Sequence, residues 1–158
     1  MSVLTQAEVD CLLTELDPYV DTEEEREALG LKAFTKYFAE IPGFGERFCT
    51  EDEKDLNVVL HSDAVKNLAR QAIEHIVEFI NAASDTEKLD GYLRAYAESY
   101  ATMFLKRKLH SNAEPIVIEF YKSILKSAEN QAAMERLMKH VFQVVRSYFD
   151  ARRKLMSK

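Results

Sequence analysis

Apolar residues recur at helical spacing along almost the whole chain. Val9, Leu12, Leu13, Leu16 and Val20 form a first stripe, led by a capping box at Thr5 and Glu8. Gly30, Ala33, Phe34, Tyr37, Phe38 and Ile41 form a second, stopped by Pro42 and Gly43. Val65, Leu68, Ala69, Ala72, Ile73, Ile76, Phe79 and Ile80 form a third, with Lys66, Arg70, Glu74 and Glu78 on the opposite face. A fourth runs Leu89, Tyr92, Leu93, Tyr96, Ala97, Tyr100, Met103, Phe104, opened by a Ser84/Glu87 capping box. Ile116, Phe120, Tyr121 and Ile124 make a fifth, which begins through SNAEP. Met134, Leu137, Met138, Val141, Val145, Tyr148 and Phe149 make the sixth, ending in the basic tail ARRKLMSK, whose charge suits a helix C-terminus. Residues 49–60 are polar and acidic and read as a loop with one short helix. No alternating run reads as a strand, so the pattern predicts an all-α fold of about six main helices plus short segments.

Composition narrows the class. The 158 residues make one domain, 1–158, with no Pro/Gly/Ser linker and no internal repeat. Four glycines and three prolines are too few for a β sandwich or barrel or for a Gly-rich nucleotide fold. A formal charge of −6 argues against nucleic acid as the main partner. No apolar run has the length of a membrane span, and the N-terminus lacks the basic start of a signal peptide. Cys11 and Cys49 form no CxxC pair, which points to a reduced, cytoplasmic setting.

The ordered set of stripes resembles a globin over roughly residues 5–153. The segment AFTKYFAEIPGFGERF looks like the end of the second globin helix and the corner after it. Pro42 sits where globins place a helix-opening proline, and Phe48 where a phenylalanine packs on the haem face. Gly30 and Ala69 match the small pair that lets the second and fifth globin helices cross closely. EKLDGYLRAYAESYATMF looks like the proximal helix, and the spacings Phe48 to Leu68 and Leu68 to Tyr100 are similar to those of nematode-type globins. The resemblance implies a globin-like fold with a haem-type pocket. It places Phe34, Phe48, Leu68, Ala72, Ile76, Tyr96, Tyr100, Phe104 and Arg107 at that pocket.

Two positions depart from the family pattern. Globins hold iron through a proximal histidine and hydrogen-bond dioxygen through a distal polar residue. The resemblance puts Tyr100 at the first position and Leu68 at the second. Leucine donates no hydrogen bond. A tyrosine ligates haem iron as phenolate, and burial opposes that ionisation unless iron or a cation such as Arg107 reverses it. The expected protein is therefore a non-catalytic binding or sensing globin rather than a conventional oxygen carrier. Two ligand classes stand: haem held by Tyr100 or His110, for gas binding, redox or peroxide chemistry; or an apolar ligand such as a fatty acid. A ligand-free helical interaction module is the third reading, and self-association is left open.

The other candidate groups read as ordinary. His75 falls on the polar face of its helix and reads as solvated. His61 precedes a helix cap, near the pocket rim at most, and His140 reads as a surface or satisfied histidine. Cys49, beside Phe48, reads as a small buried thiol at the pocket edge. The acidic runs Asp21–Glu25 and 51–55 lack EF-hand spacing, and each reads as a solvated loop or a helix N-terminus. No HExxH, Walker, GxSxG or GxGxxG motif is present.

Overall fold

The computed structural model describes the backbone of residues 2–100 and 107–156 and the side chains of residues 2–99 and 112–155. Among these residues the chain forms helices only: α1 (Gln6–Val20), α2 (Glu23–Glu40), a 3-10 turn (Gly45–Phe48), α3 (Leu56–Leu60), α4 (Asp63–Ala82), α5 (Thr86–Tyr100), α6 (Arg107–Ile124) and α7 (Ala128–Met156). That is six main helices with two short segments between α2 and α4, as the periodicity predicts. None is long and apolar enough to cross a membrane.

Short polar side chains cap the helix starts. Thr5 and Glu8 form the reciprocal capping box of α1. Thr22 caps α2, and Glu23, Glu24 and Glu25 occupy its first turn, where negative charge is favourable. Asp55 caps α3 and Ser62 caps α4. Beyond Ile41 the chain leaves α2 at Pro42 and turns through Gly43, whose φ of 80° is open to glycine at little cost.

Two expectations are corrected. The cap of α5 is Asp85, whose carboxylate accepts from the Lys88 N–H at 3.2 Å, not the Ser84/Glu87 pair. Ser84 instead donates to the Gln6 side chain at 2.8 Å, helping to tie the α4–α5 corner to the start of α1. Next to it, the Leu4 N–H donates to Ala83 O. The SNAEP segment does not open the fifth helix; it lies within α6, which is already helical at Arg107. Pro115 therefore sits in the helix interior, where it removes one N–H from the ladder. Apolar periodicity misses this first stretch of α6 because it carries charged and polar residues.

The core is one continuous cluster drawn from every α-helix. Its tightest crossing is α2 over α4. A Cβ placed on Gly30 would lie 2.2 Å from the Ala69 carbonyl oxygen. Glycine there lets two backbones touch, as the small-pair reading of Gly30 and Ala69 expects.

The start of α7 is fixed from outside by α1. Glu15 accepts from the N–H groups of Lys126 and Ser127 and from the Asn130 side chain at 2.7 Å. Asn130, the buried polar residue of this corner, also donates to Cys11 O. Burial pushes the Glu15 carboxyl up, but these donors outweigh it and hold the group below its ordinary value. Its stabilising effect is thus present above the unfolded pKa and lost as pH falls through the folded one. Glu15→Ala should lower unfolding free energy by about 2 kcal/mol in a urea titration at neutral pH. The difference from the parent chain should shrink as the pH is taken below 4.

Candidate functional site

The helices do not fill the interior completely. A cavity of about 170 Å³ lies between α2, α4, α5, α6 and α7. Phe34 and Tyr37 of α2, followed by Ile41, form part of its wall, and Phe44 and Phe48 close the corner. α4 contributes Leu68, Ala72, His75, Ile76 and Phe79, and α5 contributes Tyr96. Ala113, Val117 and Tyr121 of α6 and Met138, Val141 and Phe142 of α7 complete it. Leu68, Ala72, His75, Ile76 and Tyr96 are half-exposed, whereas Phe34, Phe79, Tyr121 and Met138 are buried. The mouth therefore lies between α4 and α5, and the floor on α2, α6 and α7.

Aromatic rings set the shape of the corner. Phe38 stacks on Phe48 at 5.7 Å with planes 13° apart, and Phe44 meets Phe34, Tyr37 and Phe48 edge-on within 5.4–5.6 Å. Offset and edge-on packing of this kind holds ring positions more firmly than aliphatic contacts do. At the mouth, Tyr96 stands edge-on to both Phe79 (5.5 Å) and His75 (5.1 Å), joining α5 to α4.

Besides Tyr96 at the mouth, three polar side chains border this carbon-lined space. Tyr37 and Tyr121 are buried at the floor, and desolvation pushes both phenols well above their ordinary pKa. The two hydroxyls interact at the floor, and the nearby Tyr96 phenol adds to the upward push on both. His75 is the third. Burial lowers its pKa, with Glu78 and Glu74 pulling it partly back, so the imidazole is neutral in the neutral pH range. Because the folded value lies below the unfolded one, the stability His75 contributes is present above about pH 6.5 and falls away on acidification. His75→Phe should flatten the decline in urea midpoint between pH 7.5 and pH 5.5. An unchanged slope would show that the imidazole is solvated.

Of the pocket residues expected from sequence, Phe34, Phe48, Leu68, Ala72, Ile76 and Tyr96 line this one cavity. The side chains of Tyr100, Phe104, Arg107 and His110 lie outside the described residues. His75, expected to be solvated, is half-buried on the cavity wall instead. Its helix face looks polar in sequence because Glu74 and Glu78 flank it, yet α5 covers that edge with Tyr96. Tyr92 is exposed, with the Lys88 ammonium 5.9 Å from its ring, rather than a rung of the core. Cys49 is half-buried on the outside of the corner, its thiol facing the carbonyls of Gly45 and Lys54, and does not line the cavity. His61 is exposed and tied to Asn57 O at 2.8 Å, and His140 pairs with Asp90 at 2.7 Å, bridging α7 to α5. Among the described residues no group of three metal-binding side chains occurs.

Sequence periodicity does not single out the floor phenols. Both sit in apolar stripes, and periodicity reports which face is inward without reporting where the interior stays open. Two inward tyrosines on different helices are the available signal.

Comparison with known proteins fits this geometry. A family model described as globin matches residues 31–145. A globin of Isoparorchis hypselobagri is 35% identical over 141 residues, covering 89% of this chain and 95% of its own length. A globin of Dicrocoelium dendriticum is 24% identical, over 91% of this chain and 94% of its own length. Ferric myoglobin of Aplysia limacina superposes with a TM-score of 0.75 at 18% identity, over 92% of this chain and 98% of that one. The globin-like protein of C. elegans gives 0.71 at 14% identity, over 94% and 95%.

Proposed function

Because this chain belongs to the globin family, we propose that the cavity is its haem-type pocket and serves ligand binding or sensing rather than conventional oxygen carriage. The observation that carries this reading is the wall given by α4, where Leu68, Ala72 and Ile76 offer only carbon and His75 is the one polar side chain beside them. Such walls, with Phe48 at the corner, suit the flat apolar faces of a porphyrin. Haem held there would supply a redox-active iron with one position open to a small ligand. Tyr100 is the residue we assign to hold the metal, as phenolate, with Arg107 the cation that would favour the ionised form; His110 is the second candidate. Leu68 takes the position from which other globins hydrogen-bond dioxygen, and it cannot donate. The free thiols Cys11 and Cys49 agree with a reduced, cytoplasmic setting.

A second reading is favoured by the cavity volume. Its volume of about 170 Å³, open on one side at the mouth, suits a small apolar ligand as the helices stand.

Titration of the purified chain with hemin tests the first reading. A saturable 1:1 Soret band is expected, and a linear response without saturation would contradict it. On the reduced, haem-loaded protein, Leu68→Gln should raise dioxygen affinity by about tenfold or more, the worth of one added hydrogen bond in an apolar site. A change of less than twofold would show that Leu68 does not face the bound gas.

A further inference from the structure

Two basic stretches of the chain meet at one end of the helical bundle. Residues 146–158 hold five lysines and arginines against one acidic residue, and residues 99–113 hold three against none. The other 130 residues hold 13 against 26. α6 and α7 run antiparallel, since Glu114 pairs with Arg146 at 2.9 Å and Lys122 with Glu135 at 3.4 Å. That register carries the start of α6, at Arg107 and Lys108, alongside the last turns of α7, which hold Arg152, Arg153 and Lys154. Arg153 and Lys154 are exposed and Arg152 is half-buried. Next to them Leu155 is 74% exposed, more than any other large apolar side chain among the described residues. It shares a helix face with half-buried Tyr148, seven residues back.

Helix electrostatics account for only half of this arrangement. Cations in the last turn of α7 complement its dipole. Cations at the first residues of α6 oppose theirs, and that turn carries no acidic residue to offset them. The two helix ends thus add like charge to like charge, which an anionic surface relieves. We propose that this end of the bundle docks on an anionic phospholipid membrane, with its cations at the headgroups and Leu155 in the outer edge of the acyl region. Basic clusters beside an exposed apolar side chain have this affinity. Leu155 selects the partner. A nucleic acid would use the cations but offers a leucine side chain nothing to bury against, and its backbone would also run past the acidic body of the protein. A bilayer meets the basic end alone. Docking of this kind needs no spanning helix, and among the described residues there is none. It is independent of what the cavity holds.

Sedimentation of the full chain with sucrose-loaded vesicles tests this. Phosphatidylcholine vesicles with about one third phosphatidylserine should bind it about tenfold or more tighter than pure phosphatidylcholine, and about 0.5 M salt should release it. Arg152→Gln/Arg153→Gln/Lys154→Gln keeps good helix formers in place and should weaken binding about a hundredfold, at about fivefold per charge. Leu155→Ser should weaken it about tenfold through lost apolar burial, with the preference for phosphatidylserine kept. If the triple variant does not fold, the lipid preference and salt release of the parent chain decide together with Leu155→Ser. Equal binding to the two vesicle types, no binding to either, an affinity unchanged in the triple variant or in Leu155→Ser, or tighter binding to polyuridylate than to the mixed vesicles would each overturn the proposal.

Discussion

Gly30→Ala is expected to destabilise the chain by about 3 kcal/mol or more and to abolish binding in the cavity. On an isolated helix the same change would help, since alanine is the better helix former by about 1 kcal/mol. The crossing decides the sign. The new methyl would sit 2.2 Å from the Ala69 carbonyl oxygen and 2.5 Å from its carbon. Both belong to the backbone of α4, so no side-chain rotation relieves the overlap and the helices must separate. Phe34 and Tyr37 lie on the face of α2 that lines the cavity, and Leu68 and Ala72 flank Ala69 on α4. Separation at this crossing therefore moves two walls of the pocket at once. Gly91 supplies the contrast. It lies in α5, and a methyl added there would meet nothing within 4 Å, so Gly91→Ala should stabilise by about 0.5–1 kcal/mol. Urea unfolding of the two variants beside the parent checks both, and equal effects would show that the α2–α4 contact is looser than described.

How far the sequence is legible follows from this contrast. Gly30 and Ala69 can be paired from the chain alone because their spacing within two stripes matches a known crossing. The caps Thr5 and Ser62 are equally plain, being short polar residues ahead of apolar periodicity. Ser84 misleads for the same reason: it and Asp85 both satisfy the local pattern, and only tertiary contact with Gln6 separates them. The start of α6 is hidden because its first residues are polar. Around the cavity, the inward faces of α2 and α4 are readable from periodicity. His75 is not, because a half-buried imidazole between two glutamates has no sequence mark. Tyr37 and Tyr121 read as core, which they are; their meeting depends on α2 and α6 lying side by side, which periodicity within one helix does not contain.

Tyr100→Phe is the second change expected to have a large effect. A phenolate is the strongest donor that position can offer to ferric iron, and phenylalanine offers none. The substitution removes one oxygen from a helix end and leaves the apolar face intact, so folding should be nearly unchanged while haem retention falls by about a hundredfold or more, the scale of a lost charged ligand. Tyrosinate bound to ferric iron has its own vibrational signature, which separates it from imidazole ligation by His110. The most direct measurement is therefore resonance Raman spectroscopy of the ferric, haem-loaded chain beside Tyr100→Phe. Phenolate ring modes in the parent chain that vanish in Tyr100→Phe are the predicted result. A spectrum without those modes, unchanged by Tyr100→Phe and altered by His110→Ala, would contradict it.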